Sequence, residues 1–220
     1  MRIFSALLLL FTLPSLGQET RSFTGSITDL IVEIDEGEIV IEGSKDQNTI
    51  VDYITSRENC NTQTIKNDNT IQILNNKYQN GCQASYNVKL SSNVKVNIKI
   101  GAGDVKVSNL DATTQISGGS GNISLSDVTK NVSIKLGTGN VEFKTNLEPL
   151  KPLDTKLEIG TGNISYLLPK NSIIKNSIKS LPGASYIDGN FKYDNMKYDF
   201  NLDIKLGVGY ISVKPVETSE

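Results

Sequence analysis

The stretch IKIGAGDVKVSNL, residues 98–110, decides the fold because it recurs along the chain. Each copy places two glycines, one residue apart, between two short segments of alternating apolar residues. Further copies begin at Ile116, Ile134, Leu157 and Ile204. Such recurrence is typical of repeat proteins, in which every unit buries its apolar face against its neighbours.

The second glycine of each copy sets the spacing. Gly103, Gly121 and Gly139 are 18 residues apart, and Gly162 and Gly209 follow after 23 and 47 residues. The interval of 47 residues is long enough to contain one degenerate copy. The spacing therefore predicts units of about 18 residues with occasional insertions.

Apolar residues alternate with polar ones on both sides of the glycines. Val96, Ile98 and Ile100 share one parity, whereas Val105 and Val107 share the other. Alternation with period two indicates strands with one buried and one solvent-exposed face. The change of parity at the glycines indicates that the chain turns a corner there. We expect glycine at such a corner because glycine takes positive φ at little cost.

The predicted fold is all-β: a parallel β-solenoid or β-roll-like repeat of about 18 residues per rung, with glycine corners. Asn122, Asn140 and Asn163 each follow a second glycine, and we expect their amides to satisfy turn groups or to stack in a ladder. The predicted corner residues are Gly37, Gly101, Gly103, Gly119, Gly121, Gly137, Gly139, Gly160, Gly162, Gly207 and Gly209.

Residues 1–17, MRIFSALLLLFTLPSLG, have the features of a secretory signal peptide: an early cation, an apolar run and small residues before the expected cleavage after Gly17. The apolar run is shorter than the roughly 20 residues of a transmembrane helix. We expect residues 18–220 to form a single domain without a transmembrane anchor. Its predicted parts are an irregular N-terminal part to about residue 90, regular rungs over about 91–167 and an irregular cap over about 168–220.

Cys60 and Cys82 are the two cysteines of the chain. An even number in an exported chain predicts a disulfide, which would close a loop of about 20 residues and contribute roughly 3 kcal/mol. A redox or metal-binding pair would need closer spacing or further ligands. The predicted compartment is the periplasm, the cell surface or the medium outside.

Composition excludes several kinds of chemistry. The chain has no histidine and no tryptophan, and its formal net charge is −2. Without histidine there is no imidazole ligand, base or triad partner. The balance of charged residues indicates no basic patch of the kind that binds nucleic acid. No helix follows the glycines to hold a phosphate, and Ile123 stands where a calcium roll needs a carboxylate, so we predict no cofactor and no metal.

The glycine-bearing strand pairs and the closing stretch LDIKLGVGYISVKP, residues 202–215, resemble the putative-adhesin (toastrack-type) β-strand repeat family of bacterial envelope proteins. The resemblance covers residues 27–215. It implies an exported or membrane-attached β-repeat domain and no shared catalytic residues. The cysteine-containing loop departs from the common pattern.

Three classes of function remain open. A binding module is favoured, with an unknown protein or glycan ligand at the cell surface. An envelope protein with a structural or regulatory role, acting through a protein partner, is the alternative. A carbohydrate-active enzyme is less favoured, because the outward acids Asp104, Glu142 and Glu158 are mixed with Lys106, Lys135 and Lys156 and read equally well as solvated cross-rung pairs.

Aromatic residues concentrate near the C-terminus, in YIDGNFKYDNMKYDF, residues 186–200. This cluster is the candidate contact surface. The favoured alternative is a structural role, in which the aromatic rings cover the open end of the core. The candidate residues are Tyr186, Phe191, Tyr193 and Tyr198.

Overall fold

The structure is a computed structural model that describes residues 18–46, 48–55, 62–75, 83–147, 151–180, 185–188, 191–194 and 196–216. In these ranges the chain forms one sheet, mostly parallel, and contains no helix. The prediction of an all-β chain is confirmed. The predicted signal peptide and both cysteines lie outside the described residues, and so does Gly183, around which a degenerate copy could lie in the 47-residue interval.

Sixteen strands make up the described part of the sheet. They are β1 (Gln18–Phe23), β2 (Asp29–Ser44), β3 (Thr49–Thr55), β4 (Thr62–Asn67), β5 (Thr70–Asn75), β6 (Ala84–Ser91), β7 (Lys95–Ser108), β8 (Thr114–Ser120), β9 (Ile123–Ser126), β10 (Val132–Thr138), β11 (Val141–Lys144), β12 (Leu153–Leu168), β13 (Ile173–Ser180), β14 (Ser185–Asp188), β15 (Lys192–Tyr193) and β16 (Phe200–Pro215).

Each glycine pair divides a copy into two segments, here called the first arm (before the glycines) and the second arm (after them). Long strands such as β7 run through both arms, whereas β8 and β9 are the two arms of one copy and β10 and β11 those of the next. Residues 18 apart are direct partners in the parallel pairs: Ile98 faces Ile116, which faces Ile134. On the second arms Val105 faces Ile123 in the same way.

The core contains residues of both arms. Val96, Ile98 and Ile100 of the first arm are at most 3% exposed, and so are Val105 and Val107 of the second. The buried positions thus have one parity before the glycines and the other parity after them. Lysine and asparagine at the intervening positions stay exposed.

The glycine corners have two distinct geometries. The second glycine of a pair has positive φ, for example 140° at Gly139, and a Cβ there would lie 1.7 Å from the carbonyl oxygen of Gly121 on the adjacent strand. The first glycine, such as Gly137, has no positive φ, yet its Cβ would lie 2.5 Å from the oxygen of Gly119. Close approach of adjacent backbones therefore accounts for the first glycine, and positive φ applies to the second alone.

The order of strands in the sheet departs from their order in the chain at the C-terminal end. The order is β12-β16-β13, so the last strand lies between two earlier ones. β13 pairs with the first arm of β16 and β14 with the second arm. These two strands account for the long interval before Gly209.

The N-terminal end adds antiparallel strands to the parallel stack. β2 pairs with β7 on one side and with β5 and β6 on the other. β3 and β4 then pair antiparallel with β6 and β5, and β1 pairs antiparallel with β3. Regular pairing thus extends beyond the predicted range 91–167, because β2 and β16 have the same two-arm pattern as β7.

The two segments that contain the cysteines have paired flanks. Thr55, before residues 56–61, faces Ala84, and Thr62, after them, faces Asn75. Asn75 and Ala84 in turn end β5 and begin β6, on either side of the segment that contains Cys82. The disulfide stays a prediction.

Candidate ligand groove

A groove with a volume of about 790 Å³ crosses the first arms beside the glycine pairs. It is lined by residues from six strands, in spatial order β7, β8, β10, β12, β16 and β13. Each of the four central strands contributes three consecutive positions: one outward side chain, the next core position and the first glycine. The repeat therefore builds the groove from the same three positions several times.

The floor of the groove is formed by glycines and aliphatic residues. Gly119, Gly137 and their counterparts at 160 and 207 carry no side chain, so the backbone is uncovered there. Aliphatic residues beside them complete the floor and are only 2–3% exposed: Ile100, Leu136, Ile159 and Leu206. The floor is thus mainly apolar and crosses paired strands.

One row of side chains forms the rim of the groove and has an excess of positive charge. In register from strand to strand, the row is Lys99, Ser117, Lys135, Glu158, Lys205 and Lys179. Four lysines and one glutamate give a net charge of +3, whereas the formal net charge of the whole chain is −2. The groove is therefore a positive feature on a slightly acidic protein.

The rim lysines have no ion-pair partner among the described residues. Lys135 faces Glu158 in register, yet the two side chains form no ion pair. On the second arms the situation differs: Lys106 Nζ lies 2.8 Å from Glu38 Oε1, and this hydrogen bond raises the pKa of Lys106. The rim cations are thus left for solvent or for a ligand.

Beyond the groove, the corner carries a ladder of hydrogen bonds between side chains. Asn122 Nδ2 donates to Asp104 Oδ1 at 3.0 Å, Asn140 Nδ2 donates to Asn122 Oδ1 at 3.0 Å, and Asn163 Nδ2 donates to Asn140 Oδ1 at 3.0 Å. The backbone N–H of Tyr210 donates to Asn163 Oδ1 at 3.3 Å and ends the ladder. These bonds tie the corner of each copy to the next.

Two exposed apolar side chains stand at the corner of β16. Val208 is 54% exposed and Tyr210 is 46% exposed. They occupy the positions at which the preceding strand β12 has Thr161 and Asn163. This apolar pair was missed from the sequence, although its departure from the polar pattern of the other copies is visible there.

The predicted aromatic contact surface is not brought together at the groove. Phe191 is 7% exposed and belongs to the core, so its assignment to a contact surface is corrected: its ring is covered. Tyr198 is half-buried, with Lys175 Nζ 5.1 Å from its ring centroid. The side chains of Tyr186 and Tyr193 lie outside the described residues.

The outward carboxylates singled out from the sequence have separate surroundings. Glu158 faces Lys135 and Lys205, and Glu142 faces Ser124 and Ser165. Asp104 accepts hydrogen bonds from the backbone N–H and the side-chain amide of Asn122. The described residues contain no group of three or more His, Cys, Asp or Glu that could hold a metal ion.

Other titratable groups with shifted pKa values lie away from the groove. The Tyr53 hydroxyl donates to Glu19, which also contacts Arg21 Nε at 2.6 Å, and these contacts lower the pKa of the Glu19 carboxyl. Burial raises the pKa of the hydroxyl groups of Tyr86 and Tyr166, which lie inside the core. These groups stabilise or fill the fold at its N-terminal end and interior.

Solved structures similar to this chain come from species of Clostridium, Bacteroides and Parabacteroides. A putative cell adhesion protein from Clostridium sporogenes has a TM-score of 0.47 at 15% identity and covers 90% of this chain and 100% of its own. A putative adhesin from Bacteroides fragilis has a TM-score of 0.48 at 12% identity, with 91% and 98% covered. A putative lipid binding protein from Parabacteroides distasonis has a TM-score of 0.40 at 16% identity, with 91% and 97% covered.

The adhesin names are those of the family that the sequence resembles. No protein-family model matches the chain, and no curated protein matches it. In the ranges that the structure describes, no helix has the length and apolar character needed to span a membrane.

Proposed function

We propose that the chain is an exported, non-catalytic binding module that acts at the bacterial envelope or cell surface. The groove carries this proposal. Its rim holds four lysines without an ion-pair partner among the described residues, on a fold whose repeated strands hold them in a fixed row. A row of unpaired cations beside an uncovered backbone is suited to binding, and the row contains one carboxylate where glycoside hydrolysis needs two.

The scaffold that we propose is a β-solenoid of two-arm rungs. The direct pairing of residues 18 apart and the repeated glycine geometry support it. We also propose that residues 1–17 act as a signal peptide and that Cys60 and Cys82 form a disulfide. The paired flanks at Thr55 and Thr62 support the disulfide, because they place the ends of both cysteine segments side by side.

The test is a binding screen of purified residues 18–220 on a glycan array and on immobilised extracellular-matrix proteins. The variants are Lys135→Gln with Lys205→Gln in the groove, and Tyr198→Ala in the aromatic cluster. We expect saturable binding to at least one member of the screen, weakened by the groove variant. Absence of binding to every glycan and matrix protein would contradict the proposed function.

A protein partner within the envelope is the second candidate, and the exposed pair Val208 and Tyr210 favours it. Exposed tyrosine beside an aliphatic residue is a common composition for the centre of a protein interface. Crosslinking in the producing cell, with Tyr210→Ala as the variant, tests this role. A specific crosslinked partner that is lost in the variant would favour it over ligand capture in the groove.

A further inference from the structure

We infer that the groove binds a linear acidic polysaccharide whose chain runs along the stack of strands, across the first arms. This inference rests on the proposed binding function and names the ligand class for the groove. It has two supports: the sign of the charge and the direction of the groove.

The positive charge of the rim favours an anionic ligand. The rim row has a net charge of +3, and its lysines make no ion pair with any described residue. Because lysine ammonium groups on exposed positions act as point charges, they attract carboxylate or sulfate groups without demanding one fixed geometry. Ser117 and Glu158 in the same row can hydrogen-bond to sugar hydroxyl groups.

The direction of the groove favours a polymeric ligand with repeated acid groups. The groove crosses six strands, so it is about 24 Å long at the spacing between paired strands. Lys99 and Lys135 are two strands apart, and so are Lys135 and Lys205. Each of these pairs therefore places its cations about 10 Å apart. Lys99, Lys135 and Lys205 are regularly spaced along the groove, with Glu158 between the last two and Lys179 one strand further. Such a row suits an extended chain with repeated acid groups.

Other anionic partners are distinguished by the lining and by the strand pairing. The lining is mainly apolar, with Ile100, Leu136, Ile159 and Leu206 beside the glycines, so a lipid is the competing occupant, and the vesicle probe below tests it. Among the described strands, only β13 has an open side at the groove, because β15 pairs with Ile173 and Ile174 alone, so an acidic peptide has one edge at which to add as a strand. No aromatic residue among the described residues lines the groove, so nucleic-acid bases have no stacking platform in that part of the chain.

The experiment measures binding of polygalacturonate oligosaccharides of increasing length to residues 18–220 by titration calorimetry. Maltooligosaccharides of the same lengths are the neutral probe. Polyglutamate and vesicles of equal parts phosphatidylglycerol and phosphatidylcholine represent acidic peptides and lipid surfaces. We expect affinity for polygalacturonate to rise with length until the oligosaccharide fills the groove, and to fall with added salt because exposed charges are screened.

The groove variant Lys135→Gln with Lys205→Gln is expected to weaken binding of polygalacturonate about tenfold, as two exposed charge pairs are lost. The matched control is Lys144→Gln with Lys214→Gln, which removes the same charge from exposed positions on the second arms. We expect this control to bind within about twofold of the unmodified protein. Both variants change surface side chains, and their thermal unfolding is compared first to show that they fold.

Equal weakening by both variants, tighter binding of polyglutamate or vesicles than of polygalacturonate, or affinity that does not change with oligosaccharide length would overturn the inference. The two proposals fail separately. Binding to a neutral glycan or a matrix protein that the groove variant leaves unchanged retains the binding function and rejects the groove ligand. Absence of binding to every probe in both experiments rejects both.

Discussion

Single glycines control how closely neighbouring strands approach at the corners. At Gly139 two demands coincide, since φ is 140° and a Cβ would lie 1.7 Å from a backbone oxygen. At Gly137 only the close approach applies, at 2.5 Å. Gly25 provides the opposite case, because its φ is 101° and the nearest atom to a Cβ is Lys66 Nζ at 3.3 Å, the end of a flexible side chain.

Alanine substitutions at these three glycines separate the two demands. We expect Gly25→Ala to cost about 1–2 kcal/mol through positive φ alone. Gly137→Ala is expected to cost about 3 kcal/mol through overpacking. Gly139→Ala should be the most destabilising, at about 4 kcal/mol or more. Urea unfolding measures all three, and a cost at Gly139 no greater than that at Gly25 would show that the strands do not need this close approach.

The Tyr86 hydroxyl is a buried polar group that has no hydrogen-bond partner among the described residues. Burial raises its pKa above the ordinary tyrosine value. Such a group contributes nothing to the pH dependence of stability below the pKa of the unfolded chain, about 10. Above that pH the unfolded state loses the proton first, so folding stability falls as the pH rises toward the folded pKa.

Tyr86→Phe is therefore expected to be at least as stable as the unmodified protein at neutral pH, by about 0–1 kcal/mol. It should also lose less stability between about pH 9 and pH 11. Urea unfolding across this range is the measurement, and Tyr198→Phe, at a half-buried ring, is the control. A marked loss of stability at neutral pH would mean that the hydroxyl makes a stabilising contact.

At the scale of elements, the asparagine ladder fixes the corners relative to each other. Each amide donates to the oxygen of the preceding copy and accepts from the next one. The first member of the ladder only accepts hydrogen bonds, from the backbone N–H and the side-chain amide of Asn122, so an aspartate is sufficient at position 104. A middle member has to do both, which a carboxylate cannot.

Asn140→Ala removes three hydrogen bonds, one donated to Asn122 and two accepted from Asn163. We expect a loss of about 1–2 kcal/mol in the free energy of unfolding. The loss of stability in Asn140→Asp should lie between zero and the loss in Asn140→Ala. The aspartate still accepts the hydrogen bonds from Asn163, but it places negative charge against Asn122 Oδ1. The matched control Asn131→Ala, at an exposed asparagine of the return turn, is expected to change stability by less than about 0.5 kcal/mol. Equal effects at positions 140 and 131 would contradict a structural role for the ladder.

At the scale of the whole molecule, the parts of the fold that could be predicted are those that a local pattern determines. Alternation identified the strands and their buried faces, and the 18-residue interval gave partners such as Ile98 and Ile116. The place of β16 between β12 and β13 could not be predicted. Every copy has the same alternation of residues, and this alternation does not specify which strands become neighbours in the sheet. The antiparallel strands β1, β3 and β4 were missed for a similar reason, since they carry no glycine pair.

The groove could be predicted only in part. Lysine recurs two positions before the first glycine, at Lys99, Lys135 and Lys205, and this signal is present in the sequence. From the sequence, Lys135 is interpreted as a member of a solvated cross-rung pair with an acid such as Glu158. The two residues do face each other in register, but their side chains form no ion pair, because neighbouring exposed side chains gain little from pairing.

The position of β16 between β12 and β13 has a consequence for how the protein matures. A polypeptide emerges from the ribosome with its N-terminus first. β13 and β14 therefore emerge before β16, the strand to which both attach. Between the emergence of β14 and that of β16, the edge of β12 that receives β16 stays unpaired, so assembly of this part of the sheet has to follow synthesis of β16.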